Sequence, residues 1–421
     1  MARISFIGLG AMGLRMATRL AETDGIELTV YDLDPARMAS LEGKARLATS
    51  IADAAAGAEG IFSVVPADQH TLAVVGELEK VIQPGQAFVD FSTIGPATIE
   101  AVGRRLAEKG AQTISAGMTK SLTGAATGTL SLFVGGPDEI PAALKPAFDA
   151  MASDIMMVGS LGAAKALKLV NNMVVATLDV AMTEALALGA QFGIPFEQVT
   201  GALAAGGGDN WPLHNHIVPH VLPDVLGPGF FGTRFLMKDL KLYTAFARSQ
   251  NLPAFFAGAG LAAYRGAAAH GFGEHYHMII VRWYERGARV GERPASPLPD
   301  GLSAAEVTAR LVAGVAAIQA LVSAEALRIL ARMGLGQKAA AFYLDSGSAG
   351  NDSLRALVRT LEGGNEEAVT PARLLADLDQ VAALADKADV PGAVFEVGRH
   401  LAASLIDRHG EVTDLWRIAA A

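Results

Sequence analysis

Hydrophobic residues in the first 160 positions fall into short β-type runs: Arg3–Ile7, Glu27–Tyr31, Gly60–Val65, Gln86–Phe91, Gln112–Ser115 and Leu130–Val134. Between them, stretches such as Met12–Thr23 and Pro96–Lys109 carry apolar residues at helical spacing. That alternation predicts an α/β domain, a parallel sheet with helices on both faces, over residues 1–160. From about Leu161 the pattern is almost entirely helical. A Pro-rich stretch at 291–301 interrupts it, and Ser303-Ala-Ala-Glu306 then fits a capping box opening a new helix. The expected organisation is 1–160 sheet domain, 161–290 helical domain, 291–301 linker and 302–421 second helical domain.

The two helical segments resemble each other. Ala181–Pro195 matches Val322–Gly336 at an offset of 141, which also sets Asn210 against Asn351 and Leu213 against Leu354. Leu236–Ala254 pairs with Leu374–Gly392. A duplication is expected, although Ala/Leu-rich helices resemble one another in any case. The second copy is chemically depleted: Ala309, Val312, Ala313 and Ala376 stand opposite Lys168, Asn171, Asn172 and Lys238.

Composition narrows the function classes. The net charge is −9 and no basic run interleaves with aromatics, which argues against nucleic acid and anionic membrane as partners. There are no cysteines, so disulfides, thiolate nucleophiles and sulfur-bound metals are excluded together. Lys168, Asn171, Asn172, Asp179 and Glu184 interrupt the apolar stretch Leu167 to Ala190, so no bilayer span is expected. Met1 to Leu14 has the look of a short signal segment but reads better as a strand and turn. A cytoplasmic location is the default.

Ile4–Ile7 runs directly into Gly8-Leu-Gly10-Ala11-Met12-Gly13 and a helix, the context in which GxGxxG binds a dinucleotide. Gly8 permits the turn, Gly10 lets backbone approach a pyrophosphate, and Gly13 allows helix to pack on strand. Asp32 ends the second strand, 24 residues after Gly8. A carboxylate there accepts from both ribose hydroxyls and repels a 2′-phosphate, so NAD is expected over NADP. Asp34, before Pro35, reads as a helix cap.

These glycines, followed in order by Asp90-Phe-Ser-Thr93-Ile-Gly-Pro96, Gly124-Ala-Ala-Thr-Gly128, Lys168-Leu-Val-Asn171-Asn172 and Lys238-Asp-Leu, resemble the β-hydroxyacid dehydrogenase family. The resemblance covers roughly 1–285. It implies a Rossmann-like domain followed by all-α domains, with an active site in the cleft between them. Doubled helical domains occur in relatives such as 6-phosphogluconate dehydrogenase. A fused second copy would replace part of a dimer partner, leaving monomer and homodimer both open.

Oxidising an alcohol by hydride loss needs a group that accepts the hydroxyl proton. With no metal expected, a lysine of lowered pKa suits the task, and Lys168 is the candidate. Asn172, at i+4, shares its helical face. Lys165 is the competing register, without an Asn four residues later. The resemblance further implies Lys238 near the nicotinamide, with Asp239 as its charge partner, and Val65, Pro66 and Thr93 lining the cofactor site. Where the family carries Ser-Gly-Gly against the substrate carboxylate, this chain has Thr119-Lys120-Ser121. With Asn171 and Trp211, these are the expected substrate contacts, and Lys120 suggests a small, strongly anionic substrate such as a hydroxy acid or hydroxy sulfonate. Lys120 pointing to solvent is the bland alternative.

His214, His216 and His220, and separately His270, His275 and His277, follow no familiar ligand spacing, so neither cluster is expected to bind metal. The reading is an NAD-dependent dehydrogenase or reductase of small β-hydroxy acids. An imine reductase and a non-catalytic NAD-binding interaction protein are the alternatives. The Lys-x-x-Asn-Asn run argues against the first, and retention of Lys168, Asn172 and Lys238 against the second.

Overall fold

The computed structural model describes residues 1–228, 230–291 and 295–420, so residues 292–294 of the expected linker lie outside the described residues. The chain forms two compact units, Met1–Leu169 and Val170–Ala421.

The first unit is built on β1 (Ala2–Ile7), β2 (Ile26–Tyr31), β3 (Arg46–Leu47), β4 (Gly60–Ser63), β5 (Ala87–Asp90), β6 (Gln112–Thr119), β7 (Leu130–Gly135) and β8 (Ala152–Met157). They form one sheet in the order β3-β2-β1-β4-β5-β6-β7-β8. Neighbours within a strand face opposite ways, so Ile61 and Phe88 join one apolar cluster while Phe62 and Val89 join another. The order reverses direction at β1 and β4, where an α/β sheet opens a crevice at its carboxyl ends.

Two strands escaped the hydrophobic pattern. β3 has only two residues, and β8 (ASDIMM) carries Ser153 and Asp154. The all-parallel expectation fails at one pair: β6 and β7 run antiparallel. The chain between Thr119 and Leu130 holds a single seven-residue helix, Ser121–Thr127, too short for a parallel crossover.

The second unit is helical. Paired contacts hold it together. Trp211 N donates to Gly350 O at 2.8 Å, and Asp352 N donates to Asp209 O at 3.0 Å. Asn210 Oδ1 caps Leu213 N, and Asn351 Oδ1 caps Leu354 N. Glu184 accepts from Tyr284 Oη and from Val394 and Phe395 N at the start of helix Ala393–His409. Glu325 accepts from Tyr243 Oη and from Phe255 and Phe256 N at the start of helix Phe255–Ala267. Each carboxyl thus caps a helix of the other segment, and burial pushes both up to about 7.

The capping box forms as expected, with Ser303 and Glu306 bonding reciprocally at the start of helix Ala304–Ala331. That helix and Leu161–Gln191 are long and apolar enough to cross a membrane, contrary to the sequence expectation. The most apolar windows of Leu161–Gln191 and Ala304–Ala331 are 94% and 72% buried within the fold. Isolated polar residues therefore did not lower the mean hydropathy enough to exclude a span; packing identifies these as core helices.

Candidate active site

The glycine turn is built as its spacing suggests. Gly8 adopts φ +93°, and a Cβ there would meet Val64 O at 2.2 Å. A Cβ at Gly13 would meet Gly8 O at 2.0 Å, so helix and turn touch through backbone. Gly10 instead faces open space, its nearest neighbour being Arg37 Nη1 at 3.9 Å. Helix Ala11–Ala21 begins there without a side-chain cap. Its first N–H groups suit a pyrophosphate, so the residues present fit a bound dinucleotide.

Asp32 Oδ2 accepts from Leu9 N at 2.6 Å and Oδ1 from Asp34 N at 2.8 Å, fixing the end of β2 to the turn. Asp34 caps helix Pro35–Met38 through Ala36 N, as its position before proline suggested. Arg37 escaped the sequence reading: its guanidinium lies 3.9 Å from Asp32 Oδ2, so a cation stands beside that carboxylate.

Lys165 and Lys168, one turn apart in helix Leu161–Gln191, have different environments. The Lys165 and Asp90 side chains are both 0% exposed, with Nζ 2.8 Å from Asp90 Oδ1. The same ammonium donates to Asp90 O at 2.7 Å and Ser92 O at 2.8 Å. Ser92 Oγ donates to Asp90 and accepts from Val65 N, tying the loop after β4 to the end of β5. Lys165 is thus a buried strut. Pro66 is exposed and Thr93 half-buried at the rim of this network.

Lys168 is half-buried. It passes over Gly117 of β6, where a Cβ would lie 2.9 Å from both Lys168 Cβ and Ala164 O. A Cβ at Gly135 of β7 would meet Ser160 O at 2.0 Å and Ala164 Cβ at 3.3 Å. Glycines on adjacent strands therefore let the start of the helix settle on the sheet. Thr119, two residues beyond Gly117, shares its strand face and is buried.

The expected substrate loop divides. Lys120 and Ser121 adopt φ +75° and +59°, the left-handed region that glycine occupies without cost, which accounts for the family's glycines at these positions. Lys120 Nζ lies 2.6 Å from Asp154 Oδ2. Ser131 and Ser153 also bond that carboxylate, and the Lys120 hydrogen bond, then Ser153, hold it below the usual range. The charge of Lys120 is matched by this carboxylate in the fold.

Asn171 is wholly buried, donating to Ser348 Oγ at 2.7 Å and accepting from Ala349 N at 3.1 Å, so it anchors a loop. Asn172 donates to Asp239 Oδ2 at 2.6 Å, and Lys238 Nζ lies 3.2 Å from Asp239 Oδ1, the charge couple expected. Trp211 is half-buried, its ring 5.2 Å from that of His216.

His216 and His277, one from each sequence cluster, meet at Asp179 in the second unit. Burial works to raise the Asp179 carboxyl, but the charge and hydrogen bond of His216, then His277, outweigh it and hold the group at about 2. His214 is exposed and paired with Asp209.

A glycine turn suited to a dinucleotide and a half-buried lysine on the adjoining helix define an NAD(P)-binding oxidoreductase. The NAD binding domain of 6-phosphogluconate dehydrogenase matches residues 3–159, and the NAD-binding domain of NADP-dependent 3-hydroxyisobutyrate dehydrogenase matches 162–284. The NAD-dependent L-serine dehydrogenase of Pseudomonas aeruginosa is 30% identical over 294 residues, 68% of this chain and 98% of that protein. The 3-hydroxyisobutyrate dehydrogenase of the same organism is 34% identical over 259 residues, covering 59% of this chain and 86% of that protein. Plasmodium falciparum 6-phosphogluconate dehydrogenase shares the fold over 96% of this chain and 92% of its own, with a TM-score of 0.71 at 12% identity.

The chain belongs to the β-hydroxyacid dehydrogenase family. It is an NAD(P)-dependent hydroxyacid dehydrogenase.

Proposed function

We propose that the protein interconverts a small anionic β-hydroxy acid, or hydroxy sulfonate, with its semialdehyde or keto form, NAD being preferred. The observation that carries this reading is the seat of Lys168, which crosses Gly117 on the strand that carries Thr119 and is half-buried, whereas Lys165 is wholly buried against Asp90.

Bound at the glycine turn, the dinucleotide supplies the chemistry of hydride acceptance and return. Lys168 takes the hydroxyl proton in the oxidative direction and gives it back in reduction. Asn172 lies on the same helical face, and Asp239 fixes its amide. Thr119 and Ser121 donate to the substrate anion, and Trp211 covers its carbon chain. Asp32 takes the ribose hydroxyls, Lys238 faces the nicotinamide side, and Val65, Pro66 and Thr93 line the cofactor. The relatives named L-serine dehydrogenase and 3-hydroxyisobutyrate dehydrogenase support a substrate of three or four carbons with its hydroxyl β to a carboxylate. With Lys120 matched by Asp154, one carboxylate is a sufficient anion.

In this reading residues 302–421 are a second, chemically depleted helical copy standing in for part of a dimer partner, in a cytoplasmic enzyme. Light scattering that found a dimer joined through residues 170–290 would contradict that part.

The test of function is a panel of three- and four-carbon β-hydroxy acids and hydroxy sulfonates, followed by nicotinamide absorbance. At least one should give a kcat/KM above about 10⁴ M⁻¹s⁻¹, with NAD favoured over NADP. Preference for NADP would overturn the role given to Asp32 and implicate Arg37. No turnover across the panel would overturn the substrate class.

A further inference from the structure

Asp179, His216 and His277 come from three separate segments: helix Leu161–Gln191, the turn Leu213–Val221 and the turn His277–Ile279. All three are buried. His216 Nδ1 lies 2.9 Å from Asp179 Oδ1, His277 Nε2 3.1 Å from Asp179 Oδ2, and the two ring nitrogens 3.4 Å apart. Ligand atoms about 2.0–2.2 Å from a tetrahedral ion stand roughly 3.3–3.6 Å from one another, so this triangle is slightly smaller than one face of such a site.

Hydrogen-bond bookkeeping points the same way. His277 Nδ1 is 3.1 Å from Phe231 O, and a carbonyl only accepts, so Nδ1 carries the hydrogen. In the neutral ring Nε2 is then a bare lone pair, aimed at a carboxylate oxygen that is also an acceptor. Two acceptors 3.1 Å apart in a buried pocket need a positive centre between them, which either a proton on Nε2 or a metal ion supplies. A backbone carbonyl on the far nitrogen is also the usual outer support of a metal-bound imidazole. Tyr264, wholly buried beside this cluster with its ring 6.4 Å from that of His277, has a hydroxyl with no hydrogen-bond partner among the described residues.

We propose that Asp179, His216 and His277 bind one divalent first-row transition ion, of the zinc class. Two imidazoles and one carboxylate suit an ion of borderline softness and disfavour magnesium or calcium, which prefer all-oxygen sets. The ion joins three segments that share no local contact in sequence. It lies about 10.5 Å along the helix from Asn172, seven residues at 1.5 Å each. Its role is structural: it fixes His216, and through it the Trp211 ring. The two histidine clusters concealed the site, because each contributes one ligand and the third lies in an apolar helix.

The test uses the intact chain. Purified protein is assayed for metals, stripped with a chelator, and titrated with Co(II) while visible absorption and tryptophan fluorescence are recorded. About one equivalent should bind, with ligand-field bands of a low-symmetry nitrogen/oxygen site, a fluorescence change, and Zn(II) displacing it. Asp179→Asn and His277→Gln should each weaken Co(II) by more than about 100-fold, beyond the usual loss for outer-shell changes. His214→Gln and His270→Gln should leave it unchanged. Absence of bands in stripped wild-type protein at millimolar Co(II) would overturn the proposal, whatever the folding of the variants. Wild-type affinity retained in folded Asp179→Asn and His277→Gln would overturn it equally.

Discussion

Replacing Lys165 by Met separates the strut from Lys168, the lysine proposed to carry the proton. The change removes two hydrogen bonds to Asp90 O and Ser92 O, and the ion pair to Asp90 Oδ1 at 2.8 Å. Methionine fills similar volume, so the main effect is electrostatic. Asp90 is left buried with Ser92 N, Ser92 Oγ and Thr71 Oγ1 as its donors among the described residues. Removing one partner of a buried pair costs about 3–5 kcal/mol, because the other charge stays out of water. For a unit of this size that is a Tm lower by about 6–20 °C. The double variant Lys165→Met with Asp90→Asn should recover at least about 1 kcal/mol, since the orphaned charge is gone. Denaturant unfolding followed by circular dichroism measures both. A single variant within about 0.5 kcal/mol of wild type, a value typical of surface substitutions, would refute the assignment of Lys165 as a buried strut.

Two further outcomes follow from the same geometry. Glu184 and Glu325 are pushed from 4.5 to about 7 in the fold, so the native state holds protons that the unfolded chain releases above its ordinary value. Their stabilisation is fully present below pH 4.5 and is lost as pH rises through about 7, on the order of 3 kcal/mol per group. Tm measured from pH 5 to pH 8 should therefore fall less steeply in Glu184→Gln and Glu325→Gln than in wild type; equal slopes would refute this. Gly117→Ala would place a methyl 2.9 Å from Lys168 Cβ and Ala164 O, displacing the helix. Its kcat should drop at least tenfold in steady-state assay, as small displacements of reacting groups do, and an unchanged kcat would show that Lys168 needs no close seat on β6.

The glycine turn, Asp32 and the two candidate lysines were legible because strand, turn and helix follow one another locally. Asp90 and Ser92 were visible as a motif, yet their partnership with Lys165 spans more than 70 positions and leaves no local trace. Asn171 looked like its neighbour Asn172, but at i+1 its side chain points 100° away, toward Ser348. Lys120 was read as an anion receptor, and its partner Asp154 sits on a strand the pattern missed. Asp179 was read only as an interruption of an apolar run. A lone acid in a buried helix face is a signal that a partner must exist, though not which one. The two helical segments were read as domains because a Pro-rich linker separates them; the reciprocal caps at Glu184 and Glu325 that tie them together are tertiary and leave no local trace.

The most direct test is Lys168→Ala, with turnover and cofactor affinity measured on the same preparation. The variant should lose about 10²–10⁴ in kcat, the range for a missing general acid or base. Its NADH affinity, followed by fluorescence titration, and its Tm should stay near wild type. Turnover within tenfold of wild type would contradict the account and move the proton-transfer role to another group.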